Sequence, residues 1–243
     1  MTEKKVWLVT GASRGIGLAI AKRALAAGDL VALLARGEQV EQVASELGDK
    51  CLGIRCDVAD RAAVTTAIDH IIATWGRLDM VVNNAGVHRG GKVRRLKLED
   101  WNTVLDTNLT GALNIIAVAA AHMEPGAAIV NVGAVVGFRG FPGDSAYAAS
   151  KAGLAGMTRA LAIEMAPKNI RVNLVIPGLV LTEMTGELSE SALESMRKTI
   201  PMGRYGEADE VAEVVEWVAR SRYMTGAFVP ADGGLMSSFG TMG

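Results

Sequence analysis

Residues 6–27 constrain this chain most. Val6-Trp-Leu-Val-Thr10 is a continuous apolar run, as expected of a strand buried on both faces. Thr10-Gly-Ala-Ser-Arg-Gly-Ile-Gly17 follows at once. Residues 18–27 then read as a helix, with Ile16, Ile20, Ala24 and Ala27 on one stripe and Gly28 as the stop. A strand, a glycine turn and a helix in direct succession form a cradle for phosphate. Gly11 permits the tight turn. Gly15 and Gly17 let a pyrophosphate approach the helix N-terminus, where unpaired N–H groups and the helix dipole attract anions. The spacing is Gly-x-x-x-Gly-x-Gly, not the Gly-x-Gly-x-x-Gly of the common dinucleotide fingerprint.

The same alternation runs to the C-terminus. Strand-like runs cover residues 30–35, 51–56, 80–83, 128–132, 171–176 and 227–230. Helical patterns cover 38–47, 61–75, 98–123 (one long helix or two abutting), 145–165 and 207–219. No short repeat, low-complexity tract or linker interrupts them. This pattern predicts an α/β fold: a single-domain, Rossmann-like, doubly wound parallel sheet of about seven strands with helices on both faces, spanning residues 1–243. The ligand belongs at the carboxyl ends of the strands. At the end of the second strand, where an acidic residue would bind an adenosine 2′-hydroxyl, the chain has Ala35-Arg36. Arg36, with Arg14, suits a 2′-phosphate, so NADP(H) is expected over NAD.

Composition excludes other classes. The net charge of -1 gives no electrostatic case for nucleic acid or an anionic membrane, and aromatic residues make up only 5%. No apolar run reaches the ~18 residues of a membrane span, and no signal-peptide stretch follows Met1, so a cytoplasmic location is expected. Cys51 and Cys56 flank one short strand at a separation too great to bridge. His70, His88 and His122 are scattered, so no metal site is expected.

Tyr147 and Lys151 are four residues apart. On a helix opened by Ser145 they share a face. An ammonium near a phenol favours the phenolate, so the Tyr147 pKa is expected to fall, and such a phenol exchanges a proton with a substrate oxygen. Taken alone, the pair reads as an ordinary surface helix pair.

Together, Thr10-Gly-x-x-x-Gly-x-Gly17, Asp57, Asn83-Asn-Ala-Gly86, Asn108, Tyr147-x-x-x-Lys151 and Pro177-Gly178 resemble the short-chain dehydrogenase/reductase family over essentially the whole chain. Gly203-Arg-Tyr-Gly206, Tyr223-Met-Thr-Gly226 and Asp232-Gly-Gly234 make the β-ketoacyl-ACP reductases and other small ketone reductases the most similar members. The resemblance implies roles. Gly11, Ser13, Arg14, Ile16 and Gly17 wrap the phosphates, and Arg36 meets the 2′-phosphate. Asp57 and Val58 hold adenine. Asn84, Ala85 and Gly86 line the ribose region. Lys151 bonds the nicotinamide ribose and tunes Tyr147, the proton donor. Asn108 holds a water of a proton relay. Pro177, Gly178, Val180 and Thr182 place the carboxamide.

One position departs from the family. Its members usually carry a Ser hydroxyl thirteen residues before the Tyr, and here that position is Ala134. Loss of such a donor costs ~3–4 kcal/mol, about 10²–10³ in rate. Ser145 faces a different direction on the helix and is no substitute. An engineered Ser→Ala variant of an active reductase, a natural cofactor-binding subunit beside an active homologue, and a natural enzyme that works slowly or differently all fit.

A substrate lid is expected at about 181–204, with Met184, Met196, Met202 and the tail's Met236 as an adaptable apolar lining or as gap fillers. The resemblance implies a small ketone or its alcohol as substrate. An acyl-carrier protein stays a candidate partner: Arg89, Lys92, Arg94, Arg95 and Lys97 form a basic run that reads otherwise as a solvated face. The family's usual tetramer is expected, with small residues Ala148, Ala149, Ala152, Ala155 and Gly156 letting helices approach.

Overall fold

The computed structural model describes residues 4–181 and 190–238. Seven parallel strands form one sheet: β1 (Val6–Thr10), β2 (Leu30–Ala35), β3 (Cys51–Arg55), β4 (Leu78–Asn83), β5 (Met123–Val132), β6 (Arg171–Pro177) and β7 (Phe228–Ala231). Their order is β3-β2-β1-β4-β5-β6-β7. The order reverses between β1 and β4, whose register sets Trp7 opposite Met80 and Val9 opposite Val82. A crevice opens at such a reversal, beyond the carboxyl ends of the strands.

Side chains alternate across the strands and build a core on each face of the sheet, with a third cluster that includes Leu154, Ala155, Leu174 and Ile176. Trp7, Val9, Val31 and Leu33 pack with α1 (Gly15–Ala26), α2 (Gln39–Leu47) and α8 (Ala208–Arg220). Val6, Leu8, Val81 and Ile129 pack with α3 (Arg61–Trp75), α5 (Gly111–Ala119) and the lower half of α6 (Ser145–Met165). Each fully buried Leu, Ile or Val contributes ~1.5–3 kcal/mol. Polar ties fix the amino ends of the strands. Buried Asp29 accepts from the Lys5 amide, Trp7 Nε1 and Arg220 Nη2 at 2.8–2.9 Å.

Helix ends follow local chemistry. Asp60 caps α3 by accepting from the amides of Ala62 and Ala63, and Gly76 stops it with φ 73°. The bounds of α3 and α6 match the sequence pattern. The pattern for 98–123 needs correction. Its residues form α4 (Leu98–Leu105), a π-helical turn at Asp106–Thr110, and α5, and Met123 already begins β5. The strand β5 thus takes in Met123-Glu-Pro-Gly126, with Gly126 at φ 97° and its amide donating to the Asn169 carbonyl.

Of the expected lid, residues 182–189 lie outside the described residues, and Thr182 and Met184 with them. The rest includes α7 (Glu190–Arg197), tied down where Tyr205 Oη donates to the Leu193 carbonyl at 2.7 Å. Among the described residues no helix is long and apolar enough to cross a membrane, and no three His, Cys, Asp or Glu gather as metal ligands.

Candidate active site

The crevice between β1 and β4 is laced by Thr10 and Asn84. Thr10 Oγ1 accepts from the amides of Asn84 and Ala85 at 3.0 Å, and Asn84 Nδ2 donates to the carbonyls of Thr10 and Gly11. The glycines here are required by space. A Cβ on Gly17 would lie 2.4 Å from the Gly11 carbonyl oxygen, and one on Gly11 would lie 2.9 Å from Ala85 Cα. α1 begins at Gly15 without a side-chain cap, so its first N–H groups are presented to the crevice. Ser13 is half-buried, Arg14 exposed, and Ile16 packs against the core.

At the far end of the crevice a cavity of about 430 Å³ is lined by Arg36, Arg55, Cys56, Asp57, Asp60 and Ala63. Arg36 is exposed, with its carbonyl accepting from Arg55 Nε. Asp57 holds the Ala59 amide, and Val58 is buried against Gly111, where a Cβ would come within 2.5 Å of Val58 Cγ2. A cradle shaped by Gly11 and Gly17, a helix N-terminus and two arginines beside a cavity fit a phosphorylated dinucleotide.

Contacts continue inward. Gly86 lies against Asn108 and Lys151: a Cβ there would meet Asn108 Oδ1 at 3.4 Å and Lys151 Nζ at 3.8 Å. Asn108 sits in the π-helical turn, a common device for aiming a side chain at a site. Its amide clamps Val87, accepting from the Val87 N–H at 2.8 Å and donating to the Val87 carbonyl at 3.0 Å. It also donates to Ser150 Oγ, which in turn donates to the Tyr147 carbonyl. Lys151 Nζ donates to the Val132 carbonyl at 2.8 Å and lies 5.6 Å from the centre of the Tyr147 ring. Ala134 is two residues past Val132, where the backbone leaves β5 for a 3₁₀ turn. A Cβ on Gly137 in that turn would lie 2.9 Å from the Lys151 carbonyl carbon.

On the other flank, Pro177 ends β6, Gly178 packs so tightly on Asp232 that a Cβ would lie 2.6 Å from its Cα, and Val180 pairs with Gly206. A second cavity of about 230 Å³, lined in part by Gly178, Ile200, Met202, Arg204 and Asp232, lies at the base of the expected lid.

The electrostatics correct one expectation. The Tyr147 phenol does not fall; burial, with Asp144 adding to it, pushes it up to about 12. Lys151 is itself 3% exposed, and burial pulls it down to about 8. Desolvation of the phenolate outweighs an ammonium that is spent on Val132 and reaches only the ring.

Two other neighbours leave no mark in the sequence. His88 Nε2 pairs with Asp144 Oδ1 at 2.8 Å, and the His88 ring packs edge-on against Tyr147, centres 5.3 Å apart. Asp144 immediately precedes α6, and 56 residues separate the pair in sequence. No local pattern announces such a contact. Proximity of position 88 to Gly86, and of position 144 to Tyr147, is the one available signal.

A family model described as enoyl-(acyl carrier protein) reductase matches residues 11–236. Human 3-oxoacyl-(acyl-carrier-protein) reductase is 44% identical over 95% of this chain and 98% of its own length. The 3-oxoacyl-(acyl-carrier-protein) reductase of Thermotoga maritima is 40% identical over 96% of this chain and 98% of its own. Among solved structures, a blue fluorescent protein from a metagenomic library in complex with NADPH superposes with TM-score 0.90 at 35% identity, covering 95% and 97% of the two chains. A double mutant of a Serratia marcescens short-chain dehydrogenase/reductase does so with TM-score 0.90 at 38% identity, covering 96% and 98%.

Proposed function

For this chain, which belongs to the short-chain dehydrogenase/reductase family, we propose an NADPH-dependent reduction of a ketone, 3-oxoacyl or similar in size. The observation that carries it is the unbroken run of contacts from the Gly11–Gly17 cradle through Asn84, Gly86 and Asn108 to Lys151 and Tyr147. The solved relative in complex with NADPH supports the cofactor, as does Arg36 at the 430 Å³ cavity. Bound there, the dinucleotide supplies a hydride.

The protein's part is position and protons. Gly11, Ser13, Arg14, Ile16 and Gly17 hold the phosphates, and Arg36 the 2′-phosphate. Asp57 and Val58 bind adenine; Asn84, Ala85 and Gly86 bind the ribose region; Pro177, Gly178, Val180 and Thr182 bind the carboxamide. Tyr147 gives its proton to the substrate oxygen. With the phenol at about 12 it enters the reaction as the acid, the form that a reduction needs. Lys151 and Asn108 relay the replacement proton through water. Ala134 contributes no hydroxyl, so turnover is slow.

The exposed run of Arg89, Lys92, Arg94, Arg95 and Lys97 suits an acidic acyl-carrier protein by charge, and relatives are named for such substrates. A homotetramer fits the exposed Leu113 and Ile163 on α5 and α6, with Ala152 and Gly156 open on the same helix. Ala155, expected at that surface, faces its own core. Sizing with light scattering at micromolar concentration should give a tetramer; a monomer would refute it.

The experiment is NADPH oxidation with β-keto esters and diketones, comparing the chain with Ala134→Ser. Slow turnover that rises about a hundredfold or more with the hydroxyl supports the reading. Ala134 favours one second reading: a non-catalytic NADP-binding subunit of an active homologue. NADPH binding with no turnover by either protein would select it.

A further inference from the structure

Reducing a ketone builds negative charge on its oxygen, and each donor aimed at that oxygen is worth roughly 3–4 kcal/mol. Tyr147 is one donor, and Ala134 offers none. The polar side chains beside Tyr147 are mostly engaged elsewhere. The Ser150 hydroxyl is given to the Tyr147 carbonyl, the Asn108 amide to Val87 and Ser150, and Lys151 Nζ to the Val132 carbonyl.

His88 differs. Asp144 takes its Nε2, so the proton there is fixed, while Nδ1 has no hydrogen-bond partner among the described residues. The neutral ring therefore shows a lone pair at Nδ1, and the charged ring shows an N–H. The groups facing it are Asp144, Arg89 and the Tyr147 ring. Asp144 favours the charged ring more strongly than burial and Arg89 oppose it, so the His88 pKa is raised. The ring is also held in place from two sides. Asn108 clamps Val87, and the Gly91 amide donates to the Gly143 carbonyl at 2.8 Å, tying the His88 loop to the turn that carries Asp144. With its side chain 39% exposed, His88 is open to an incoming molecule.

Resting on the reductase reading above, we propose that His88 is a catalytic residue whose Nδ1–H donates to the substrate oxygen beside Tyr147, in place of the hydroxyl missing at position 134. No bond to His88 forms or breaks. Hydride comes from NADPH, the proton from Tyr147, and His88 shares its own proton with the developing alkoxide.

The test compares ketone reduction by the wild-type chain, His88→Ala, Ala134→Ser and the double variant, with NADPH affinity measured for each. His88→Ala should lower kcat about 10²-fold with NADPH affinity held within about twofold, and Ala134→Ser should restore most of that loss in the double variant. A residue that only braced the loop would not be rescued by a hydroxyl elsewhere. The donor is the charged ring, so kcat/KM should fall as pH rises through the His88 pKa. Asp144→Asn should move that fall to lower pH, and His88→Gln should abolish it. In the NADP⁺-loaded chain, where the ketone cannot react, the ¹⁵N resonance of His88 Nδ1 should shift on adding ketone. Equal kcat in wild type and His88→Ala, or a double variant no faster than His88→Ala, or an unmoved Nδ1 resonance, would overturn the role. Turnover by none of the four proteins would instead remove the reductase reading, and this role with it.

Discussion

Lys151 Nζ donates to the Val132 carbonyl oxygen at 2.8 Å, from a side chain almost wholly out of solvent. One hydrogen bond does not replace the water an ammonium loses on burial. The helix-spaced Tyr-x-x-x-Lys pair is thus held at a cost to the fold.

That cost has a pH dependence. The folded Lys151 pKa is lowered to about 8, so between there and the ordinary lysine value the unfolded chain binds more protons. Stability contributed by this group therefore rises with pH through that window. Relative to Lys151→Met, the wild-type chain should gain up to about 3 kcal/mol between pH 7 and pH 10.5. Thermal or urea melts of both proteins at the two pH values test this. A constant difference would refute the burial argument.

Tyr147 should stay protonated well into alkali. Its phenol is pushed up to about 12, so the difference in phenolate absorbance between wild type and Tyr147→Phe should not appear below pH ~10 without dinucleotide. Ionisation below pH 9 would show that Lys151 dominates after all. Tyr147→Phe should lower kcat by about 10²–10⁴ while NADPH affinity is kept.

Arg36 should set the cofactor preference. NADPH should bind at least about tenfold more tightly than NADH, and Arg36→Ala should erase most of that ratio by weakening NADPH alone. Fluorescence titration with both dinucleotides measures it. Equal affinities in the wild-type chain would remove Arg36 from this role.

Gly17 and Gly37 make a matched pair. A Cβ at Gly17 collides with the Gly11 carbonyl at 2.4 Å and Asn84 Nδ2 at 2.6 Å, whereas a Cβ at Gly37 meets nothing within 4 Å. Gly17→Ala should lower Tm by several degrees, for about 1–3 kcal/mol of overpacking, and abolish tight dinucleotide binding; Gly37→Ala should do neither. A tolerant Gly17→Ala would mean that the turn is not shaped by close approach.

Much of the frame was legible beforehand because its signals are local. Strands β1 and β2 are apolar runs, and α3 and α6 follow from spacing and flanking residues. Misreadings fell where helix propensity gave no boundary. Residues 98–123 are apolar enough to look helical throughout, yet the chain bends at the π-helical turn around Asn108 and is already strand at Met123. Propensity is silent about such breaks because packing, here Val58 against Gly111, decides them.

By itself, the sequence determined the alternation of strand and helix, the glycine cradle, the basic residue after β2, the Tyr147–Lys151 spacing and the absence of a hydroxyl at 134. Each of these is a property of residues within a few positions of one another, governed by backbone sterics and side-chain period. Tertiary structure alone decided that Tyr147 is raised, since desolvation depends on everything packed around the ring. It alone also brought His88 to Asp144 across 56 residues, because which loops meet at the ends of β4 and α6 is set by strand order, not by any local pattern.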